Sequence, residues 1–475
     1  MSLLQNRFLT FLIILAAFMC TALPSFGSDF FVTKTEDTND GSCSDDCSLR
    51  EAIIAANDSS SDSNTIYVPA GTYWITLPGD NEDEAASGDF DITNSMTIIG
   101  DGMDATIINA LGFFGVHDRV FQVSAPESEV EFKNLGIYGG YALGTALESA
   151  AGGGVFITDA REVYFYQCHL YRNEAVYGGA ISFEDADDNA LNNTLTIRES
   201  LVEKNEAYIA GGIYASDISL IVDRSTITGN SSEIAGGLFA DRVLAEILNS
   251  TFYKNIAPAA SEMWFLQNCG LTFSHSTLVS SDSNIEMIDI AYSEDNTFPL
   301  FFMNSIVWGR CYPEASEFFA IYGRNIGEPM NTCGFGESDI ILESDPLLLP
   351  LGDYGGLTPT APPALGSPAI DNGGFLGGTT FSNPTIDQRG IPRPQSGDGN
   401  ATEEWDIGSV ERESFTNFFK RISNDLKYMV KDPSIPSGIQ KNLSYKVANS
   451  DKSYDKGNFR AAINQLEALK NSVEA

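Results

Sequence analysis

Apolar residues recur at fixed offsets around one column of small residues in the middle of the chain. The column consists of Cys168, Ser200, Ser225, Ser250, Ser276 and Ser305. Three apolar sets accompany it, five and three residues before each member and two residues after it. The sets are Val163, Leu195, Leu220, Ala245, Leu271 and Leu300; Phe165, Ile197, Val222, Ile247, Phe273 and Phe302; and Leu170, Val202, Ile227, Phe252, Leu278 and Val307.

These offsets predict β-strands rather than helices. The positions five and three residues before the column alternate with a period of two, as in a strand with one buried face. The shift to the position two residues after the column requires a bend between two strands. A repeat near 25 residues matches one coil of a solenoid whose successive strands pair in parallel. The predicted fold is therefore all-β, a right-handed three-stranded parallel β-helix.

Glycine pairs and asparagines mark the corners of the predicted coils. Glycine suits a bend where a side chain would clash or where φ is positive. The asparagines follow the small-residue column by five residues, and stacked asparagines hydrogen-bond to one another, so we expect them to form a structural ladder. The glycine pairs are Gly153-Gly154, Gly178-Gly179, Gly211-Gly212 and Gly236-Gly237, and the asparagines are Asn173, Asn205, Asn230 and Asn255.

Helical signals flank the solenoid at both ends. Ser48 and Glu51 have the spacing of a capping box and predict a helix that covers the first coil. Near the other end, apolar residues at helical spacing predict a small helical module in two parts, separated by Pro433, Pro436 and Gly438. The apolar residues of the two parts are Phe415, Phe418, Phe419, Ile422 and Leu426, and Phe459, Ala462, Ile463, Leu466 and Val473.

The chain is expected to divide into five segments. These are an export signal at 1–27, an N-terminal cap at 28–65, the β-helix at 66–340, a glycine- and proline-rich region at 341–413 and the helical module at 414–475. The signal is predicted from a single charge followed by a nearly uninterrupted apolar stretch. No later segment is apolar enough for a transmembrane span.

Cysteine usage fits an exported protein. Six cysteines follow the signal, an even number that favours disulfide bonds outside the cytoplasm. We expect the pairs that are close in sequence, Cys43–Cys47 and Cys311–Cys333, and leave the pairing of the other two open. The protein is therefore expected to be extracellular or bound to the cell surface.

Charge is distributed unevenly along the chain. Residues 28–413 contain 16 basic and 59 acidic residues, whereas residues 414–475 contain 10 basic and 6 acidic residues. An acidic body repels phosphate backbones and anionic membrane surfaces but tolerates divalent cations. Nucleic acid is therefore excluded as an expected partner.

Several strings resemble a family of exported proteins. Residues 47–53, Cys-Ser-Leu-Arg-Glu-Ala-Ile, resemble the CSLREA motif of secreted bacterial β-helix proteins. Three regions are similar to the choice-of-anchor Q domain: residues 366–371, residues 387–394 and residues 406–408. The repeat between these motifs is similar to polymorphic-outer-membrane-protein repeats. The resemblance implies an exported or surface β-helix protein, usually without an assigned reaction.

Most charged and ionisable residues outside the repeat are expected to be structural. Arg50 and Glu51 are assigned to the helical lid over the first coil. His169 and His275 flank the small-residue column and are expected to point outward, away from any nucleophile. A buried charge network is expected to pin the loops of the C-terminal region. Its members are Asp371, Asp387, Arg389 and Asp406.

One insertion offers a candidate cation site. Asp185, Asp187 and Asn189 place oxygen ligands at alternate positions, as at the start of a calcium loop. The glycine expected next is Ala190, and the distal glutamate is absent, so a solvated loop competes with this interpretation. No catalytic residue and no other cofactor is predicted, since the sequence strings typical of pectate lyases and polygalacturonases are missing.

Two functions follow from these observations. The first is a non-catalytic adhesin, or a rod that binds a carbohydrate or another partner, because solenoids present broad faces to extended ligands. The alternative is a calcium-dependent polysaccharide lyase or another carbohydrate-active enzyme of pectate-lyase-like fold. An extracellular polysaccharide is the expected partner of both.

Overall fold

A computed structural model describes most of the chain after the export signal. The described residues are 27–61, 63–79, 82–115, 117–185, 192–282, 285–290, 300–312, 319–375, 382–397, 402–429, 437–455 and 465. The predicted export signal lies almost entirely outside them and stays a prediction.

The first and largest sheet contains 18 strands, and its successive strands pair in parallel. Most coils contribute two segments to it, separated by a residue with positive φ such as Asp217 (60°) or Arg242 (53°). Its strands are Ser28–Phe31, Asn64–Val68, Phe90–Ile92, Met96–Gly100, Phe121–Lys133, Val155–Tyr166, Ile181–Glu184, Thr194–Arg198, Ile213–Ser216, Ser219–Asp223, Leu238–Asp241, Leu244–Leu248, Met263–Phe265, Gly270–Ser274, Glu286–Ile290, Leu300–Met303, Arg310–Cys311 and Phe319–Tyr322.

Two further parallel sheets complete the coils. The second sheet has 11 strands and the third has three. The strands of the second sheet are Gly71–Trp74, Thr106–Asn109, Gly136–Tyr138, His169–Tyr171, Leu201–Glu203, Thr226–Thr228, Thr251–Tyr253, Thr277–Val279, Ile306–Trp308, Ile326–Gly327 and Ile340–Ile341. Those of the third are Tyr141–Ala142, Glu174–Tyr177 and Glu206–Ile209. The parallel β-helix predicted from the repeat is therefore confirmed.

The interior is built from the predicted apolar columns. Strand register places Phe165 on Ile197, Ile197 on Val222, and so on to Phe302, all fully buried. The columns five residues before and two residues after the small residues stack in the same way. The predicted bend lies directly before the small residues. There φ is between 45° and 55°, at Gln167, Glu199, Arg224, Asn249, His275 and Asn304.

Two hydrogen-bond ladders run along the coils. Within the asparagine ladder, the backbone and side-chain N–H groups of one asparagine donate to the Oδ1 of the next, at 2.9–3.0 Å. The column of small residues forms a second ladder, because each backbone N–H donates to the serine Oγ of the next coil at 3.0–3.2 Å. Sequence reasoning predicted only the asparagine ladder.

The N-terminal helix Leu49–Asn57 is the predicted lid. Ser48 and Glu51 form the capping box, with the Ser48 N–H donating to Glu51 Oε2 at 2.7 Å. The Arg50 side chain is fully buried and forms an ion pair of 2.7 Å with Asp37. Its remaining N–H groups donate to the carbonyl oxygens of Ala85, Gly88 and Asp89. Both charged residues therefore hold the lid and its neighbouring loop in place.

Pro359, Gln388 and Ser409 of the C-terminal region hydrogen-bond to residues of the second sheet. The Gln388 side-chain amide donates to Thr226 Oγ1 at 2.7 Å, and the Thr251 hydroxyl donates to Gln388 Oε1 at 2.6 Å. The predicted charge network is present in part, as one ion pair and one hydrogen bond from a backbone N–H to a carboxylate. Asp387 accepts from the Arg389 guanidinium at 2.8 Å, and Asp406 accepts from the Asp371 N–H at 2.7 Å. Sequence reasoning missed a buried pair, Arg393 and Glu411, at 3.3 Å.

The chain separates into two compact units. Residues up to 393 together with 405–411 form the first, and residues 394–404 and 412–475 form the second. The second unit contains the helices Phe415–Met429 and Ser437–Asp455.

The first of these two helices matches the predicted amphipathic stretch. The second begins at Ser437, includes the predicted separator Gly438 and spans a segment that the apolar pattern did not mark. The second predicted helical stretch, from Phe459 to Val473, lies outside the described residues. One short helix, Leu147–Ala150, lies within the β-helix. In the part of the chain that the structure describes, every helix is too short or too polar to cross a membrane.

Candidate functional site

One row of outward-facing side chains runs along the first sheet, and we call it the outer lane. Register places each member opposite the next in the adjacent coil. Their strand neighbours on either side point into the core, as the alternation of a strand requires. The outer lane consists of Asp91, Gln122, Phe156, Ser182, Tyr214, Phe239, Trp264 and Asp289.

The centre of the outer lane is aromatic. The rings of Tyr214 and Phe239 stack with their centroids 5.2 Å apart and their planes 3° from parallel. Tyr177, from the preceding corner, meets Tyr214 edge to face at 5.7 Å. Trp264 follows Phe239 in the next coil and belongs to the same apolar group on the outside of the β-helix. An aromatic strip therefore extends parallel to the solenoid axis.

Charged groups border this strip, and we call them the corner cluster: Glu184, Ser216, Asp217, Asp241 and Arg242. Glu184, Ser216 and Asp241 are neighbours by register. Arg242 donates to both carboxylate oxygens of Asp217 at 2.6 Å and to Asp241 Oδ2 at 2.8 Å. The Ser216 hydroxyl donates to Asp217 at 3.0 Å. One guanidinium therefore serves two carboxylates, while Glu184 stands beside them.

Burial and crowding perturb the titration of these groups. Desolvation, and then the neighbouring Asp217 charge, raise the pKa of Glu184. Desolvation also raises the pKa of Asp241, although Arg242 opposes it. Burial, assisted by the Glu184 and Asp241 charges, raises the pKa of Tyr214 to about 12. A neutral phenol and two carboxyls with a strengthened affinity for protons therefore share one corner.

Three buried polar atoms around the centre of the outer lane have no hydrogen-bond partner within the described structure. They are Ser182 Oγ, Asp241 Oδ1 and Trp264 Nε1. The Ser182 side chain is fully buried although it faces outward, and Asp241 is 9% exposed. Because buried polar groups are nearly always paired in folded proteins, unpaired ones beside an aromatic strip are typical of a ligand site.

A cleft begins where the corner cluster ends. It has a volume of about 370 Å³ and includes Ser219 and Leu244, two residues after Asp217 and Arg242 respectively. Other residues that line it are Ile221, Glu246, Gly270, Thr272 and Phe301. The mixture of apolar and polar groups extends the candidate site onto the second segment of the first sheet.

The predicted calcium ligands are described only in part. Asp185 directly follows Glu184, and its backbone N–H donates to the Ser216 carbonyl oxygen at 3.3 Å. Asp187 and Asn189 lie outside the described residues, so the calcium site stays a prediction. Within the described ranges, no three His, Cys, Asp or Glu side chains converge as metal ligands.

One of the two histidine predictions is wrong. His275 is completely buried, with its ring nitrogens 2.9 Å from Ser274 Oγ and 3.1 Å from Asn304 Nδ2. Burial and the Arg393 charge lower the pKa of His275. The C-terminal region covers this position, which the local sequence pattern could not indicate. His169 lies on the outer surface, where its Nδ1 is 2.8 Å from the Tyr138 hydroxyl.

The two disulfide bonds predicted from the sequence are present. Cys43–Cys47 and Cys311–Cys333 are disulfide bonds, as expected. The remaining two cysteines are buried free thiols. Cys168 occupies a place in the serine ladder, and burial raises the pKa of its thiol to about 12.

A second group of carboxyls lies at the N-terminal end of the outer lane. Asp89 is buried 3.6 Å from the Arg119 guanidinium, and Asp91 accepts from the Ala85 N–H at 2.8 Å. Burial, together with neighbouring acidic residues, raises the pKa of Asp91 to about 7. Arg119 in turn covers the Phe156 ring at 4.8 Å. Asp91 Oδ1 is also buried without a hydrogen-bond partner among the described residues.

Comparison with known proteins adds little to this geometry. No protein-family model matches the chain, and no curated protein matches it. Among solved structures, the crystal structure of pectate lyase Pel9A superposes with a TM-score of 0.39 and 11% identity. The match covers 82% of this chain and 98% of that one. A superposition this loose contains no information on substrate or reaction.

Sequence reasoning approached the site without finding it. The insertion after Glu184 was noticed, but the partners of Glu184 come from the next two coils. A signal was available, because Phe156, Tyr214 and Phe239 each stand two residues after a glycine pair. The position two residues after a glycine pair can be recognised as outward-facing only from the strand register. The predicted apolar columns lie on other strands and do not give this register.

Proposed function

We propose that the protein is an exported β-helix protein that binds a polysaccharide chain along the outer lane. The observation that supports this most is the coincidence of the aromatic strip with three unpaired polar atoms. Aromatic faces pack against the apolar faces of sugar rings, while hydroxyl, carboxylate and indole groups pair with sugar hydroxyls. The successive coils repeat these features along the axis, as an extended polymer requires.

The two disulfide bonds are compatible with a location outside the cell. The proposed location is therefore the cell surface or the extracellular space. A role as an adhesin is one form that such binding takes.

Retention on insoluble polysaccharides tests this proposal. The full chain is applied to cellulose, chitin, xylan and cross-linked polygalacturonate, and the bound fraction is measured. Tyr214→Ala is expected to weaken retention on the bound polymer at least roughly tenfold, as the loss of a central aromatic contact does in other interfaces. Tyr253→Ala, which alters an aromatic residue on the second sheet, serves as the matched control. Absence of retention on all polymers, or equal retention by both variants, would contradict the proposal.

Cleavage of a glycosidic bond is a second candidate function. It is favoured by the raised pKa of Glu184, which would make this residue the acid. The neighbouring Asp217 is ion-paired with Arg242 and would be the carboxylate. Glycoside hydrolases place two carboxyl groups in these roles. Release of new reducing ends, abolished by Glu184→Gln without loss of binding, would support it. Unsaturated, calcium-dependent products would instead indicate the lyase that the insertion suggested.

A further inference from the structure

The corner cluster has an excess of negative charge. Three carboxyl groups, from Glu184, Asp217 and Asp241, face a single guanidinium from Arg242. Asp241 Oδ1 is buried and has no hydrogen-bond partner among the described residues. Burial, and to a smaller extent the charge of Asp217, raises the pKa of both Glu184 and Asp241. A cation placed between them would relieve this repulsion.

The available groups suit an organic cation better than a metal ion. Within the described residues, no three ligating side chains converge here. An ammonium group needs less strict geometry, because it has three N–H donors on one small centre. Hydrogen bonds from an ammonium to a carboxylate are charge-assisted and stronger than neutral ones. The Tyr214 phenol lies near the same carboxyls, whose charges help to raise its pKa.

A separate observation connects this charge to a sugar. Ser182 lies two residues before Glu184 on the same outer face, fully buried and with its hydroxyl unpaired. The indole Nε1 of Trp264 is also unpaired. Trp264 lies in the outer lane two coils beyond Tyr214, which is the neighbour of Ser182. Neither group is charged, so both match hydroxyl groups rather than an ammonium. A ligand that satisfies all of these groups has several hydroxyls and at least one amino group.

We propose that the corner cluster binds the protonated amino group of an amino sugar, so that the protein selects polysaccharides of de-acetylated hexosamine. This inference rests on the proposed polysaccharide binding and specifies its substrate class. The same charges disfavour uronates, because a carboxylate on the sugar would meet Glu184 and Asp241. Selectivity therefore comes from the corner cluster, and the aromatic strip provides contact area for any pyranose chain.

A pair of ligands that differ only in charge tests this inference. Chitosan hexasaccharide has free amino groups, and chitin hexasaccharide is its N-acetylated counterpart. The full chain is titrated with both by calorimetry, at low ionic strength and at a pH where the amines are protonated. The wild type is expected to bind the chitosan oligomer about tenfold more tightly, as charge-assisted hydrogen bonds allow. Asp241→Asn and Glu184→Gln are each expected to reduce this preference to below about threefold.

The matched control is Glu337→Gln, which removes an exposed charge far along the chain and is expected to keep the full preference. Thermal unfolding of each variant verifies that it is folded. Equal affinity of the wild type for both oligomers would overturn the charge selectivity and leave polysaccharide binding intact. Absence of binding to either oligomer and to the insoluble polymers would overturn both.

Discussion

The side chain of Glu262 ends the asparagine ladder. The asparagine ladder ends at Asn255, whose backbone N–H donates to Glu262 Oε1 at 3.0 Å and whose amide donates to Oε2 at 2.5 Å. Glu262 occupies the position that Gly237 holds one coil earlier, and its side chain replaces the next asparagine. It is fully buried, and desolvation raises its pKa to about 8 against an ordinary value of 4.5.

This residue makes the stability of the β-helix depend on pH. The folded state binds the Glu262 proton more tightly than the unfolded state, so its contribution is fully present below pH 4.5 and is lost as pH rises towards 8. We expect the free energy of unfolding to fall by roughly 2–4 kcal/mol over this interval because of Glu262. Glu262→Gln, which cannot ionise, is expected to flatten this decline. Urea titrations of both proteins at pH 5 and pH 8 measure it, and parallel declines would refute the assignment.

At the scale of elements, the ladders bind one coil to the next. Asn230 accepts from the backbone and side-chain N–H groups of Asn205, and donates to Val202 and Asn255. All of these groups are buried, so water cannot replace a missing partner. The ladder therefore stabilises the corner between coils in addition to the parallel sheets.

Removal of one rung tests the contribution of the ladder. Asn230→Ala leaves buried donors and acceptors unpaired, and we expect the free energy of unfolding to fall by about 2–4 kcal/mol. Glu233→Ala, three residues away and exposed, is expected to change it by less than about 0.5 kcal/mol. Denaturant unfolding followed by circular dichroism gives both values. A similar small change for both variants would show that the ladder is dispensable.

The elements also show what the sequence could and could not predict. Core columns, the asparagine ladder and the N-terminal capping box follow from local spacing, because strand alternation and cap geometry are set by nearby residues. The sequence locates the glycine corners only to within one residue. Gly179 stacks between Gly153 and Gly211, so the second glycine of one pair aligns with the first glycine of the pairs before and after it. Their purpose is close approach: a Cβ on Gly212 would lie 2.4 Å from the Gly237 carbonyl oxygen. The burial of His275 and the corner cluster depend on residues distant in sequence, so local spacing could not reveal them.

At the scale of the whole molecule, the repeat converts local side-chain choices into a continuous surface. Each coil adds one outward side chain to the outer lane, so an aromatic residue in successive coils becomes a strip. On the second sheet, Thr226 and Thr251 hydrogen-bond to Gln388 of the C-terminal region. The centre of the outer lane keeps unpaired polar groups at Ser182 and Trp264. We therefore propose that the first sheet is the binding face.

Hydroxyl-radical footprinting with and without chitosan hexasaccharide tests the location of binding most directly, because oxidation of a side chain falls when a ligand covers it. We expect reduced oxidation at Tyr177, Tyr214 and Trp264, and unchanged oxidation at Tyr253 and Trp308 of the second sheet. Protection confined to the second sheet, or none at Tyr214 and Trp264 under saturating ligand, would contradict it.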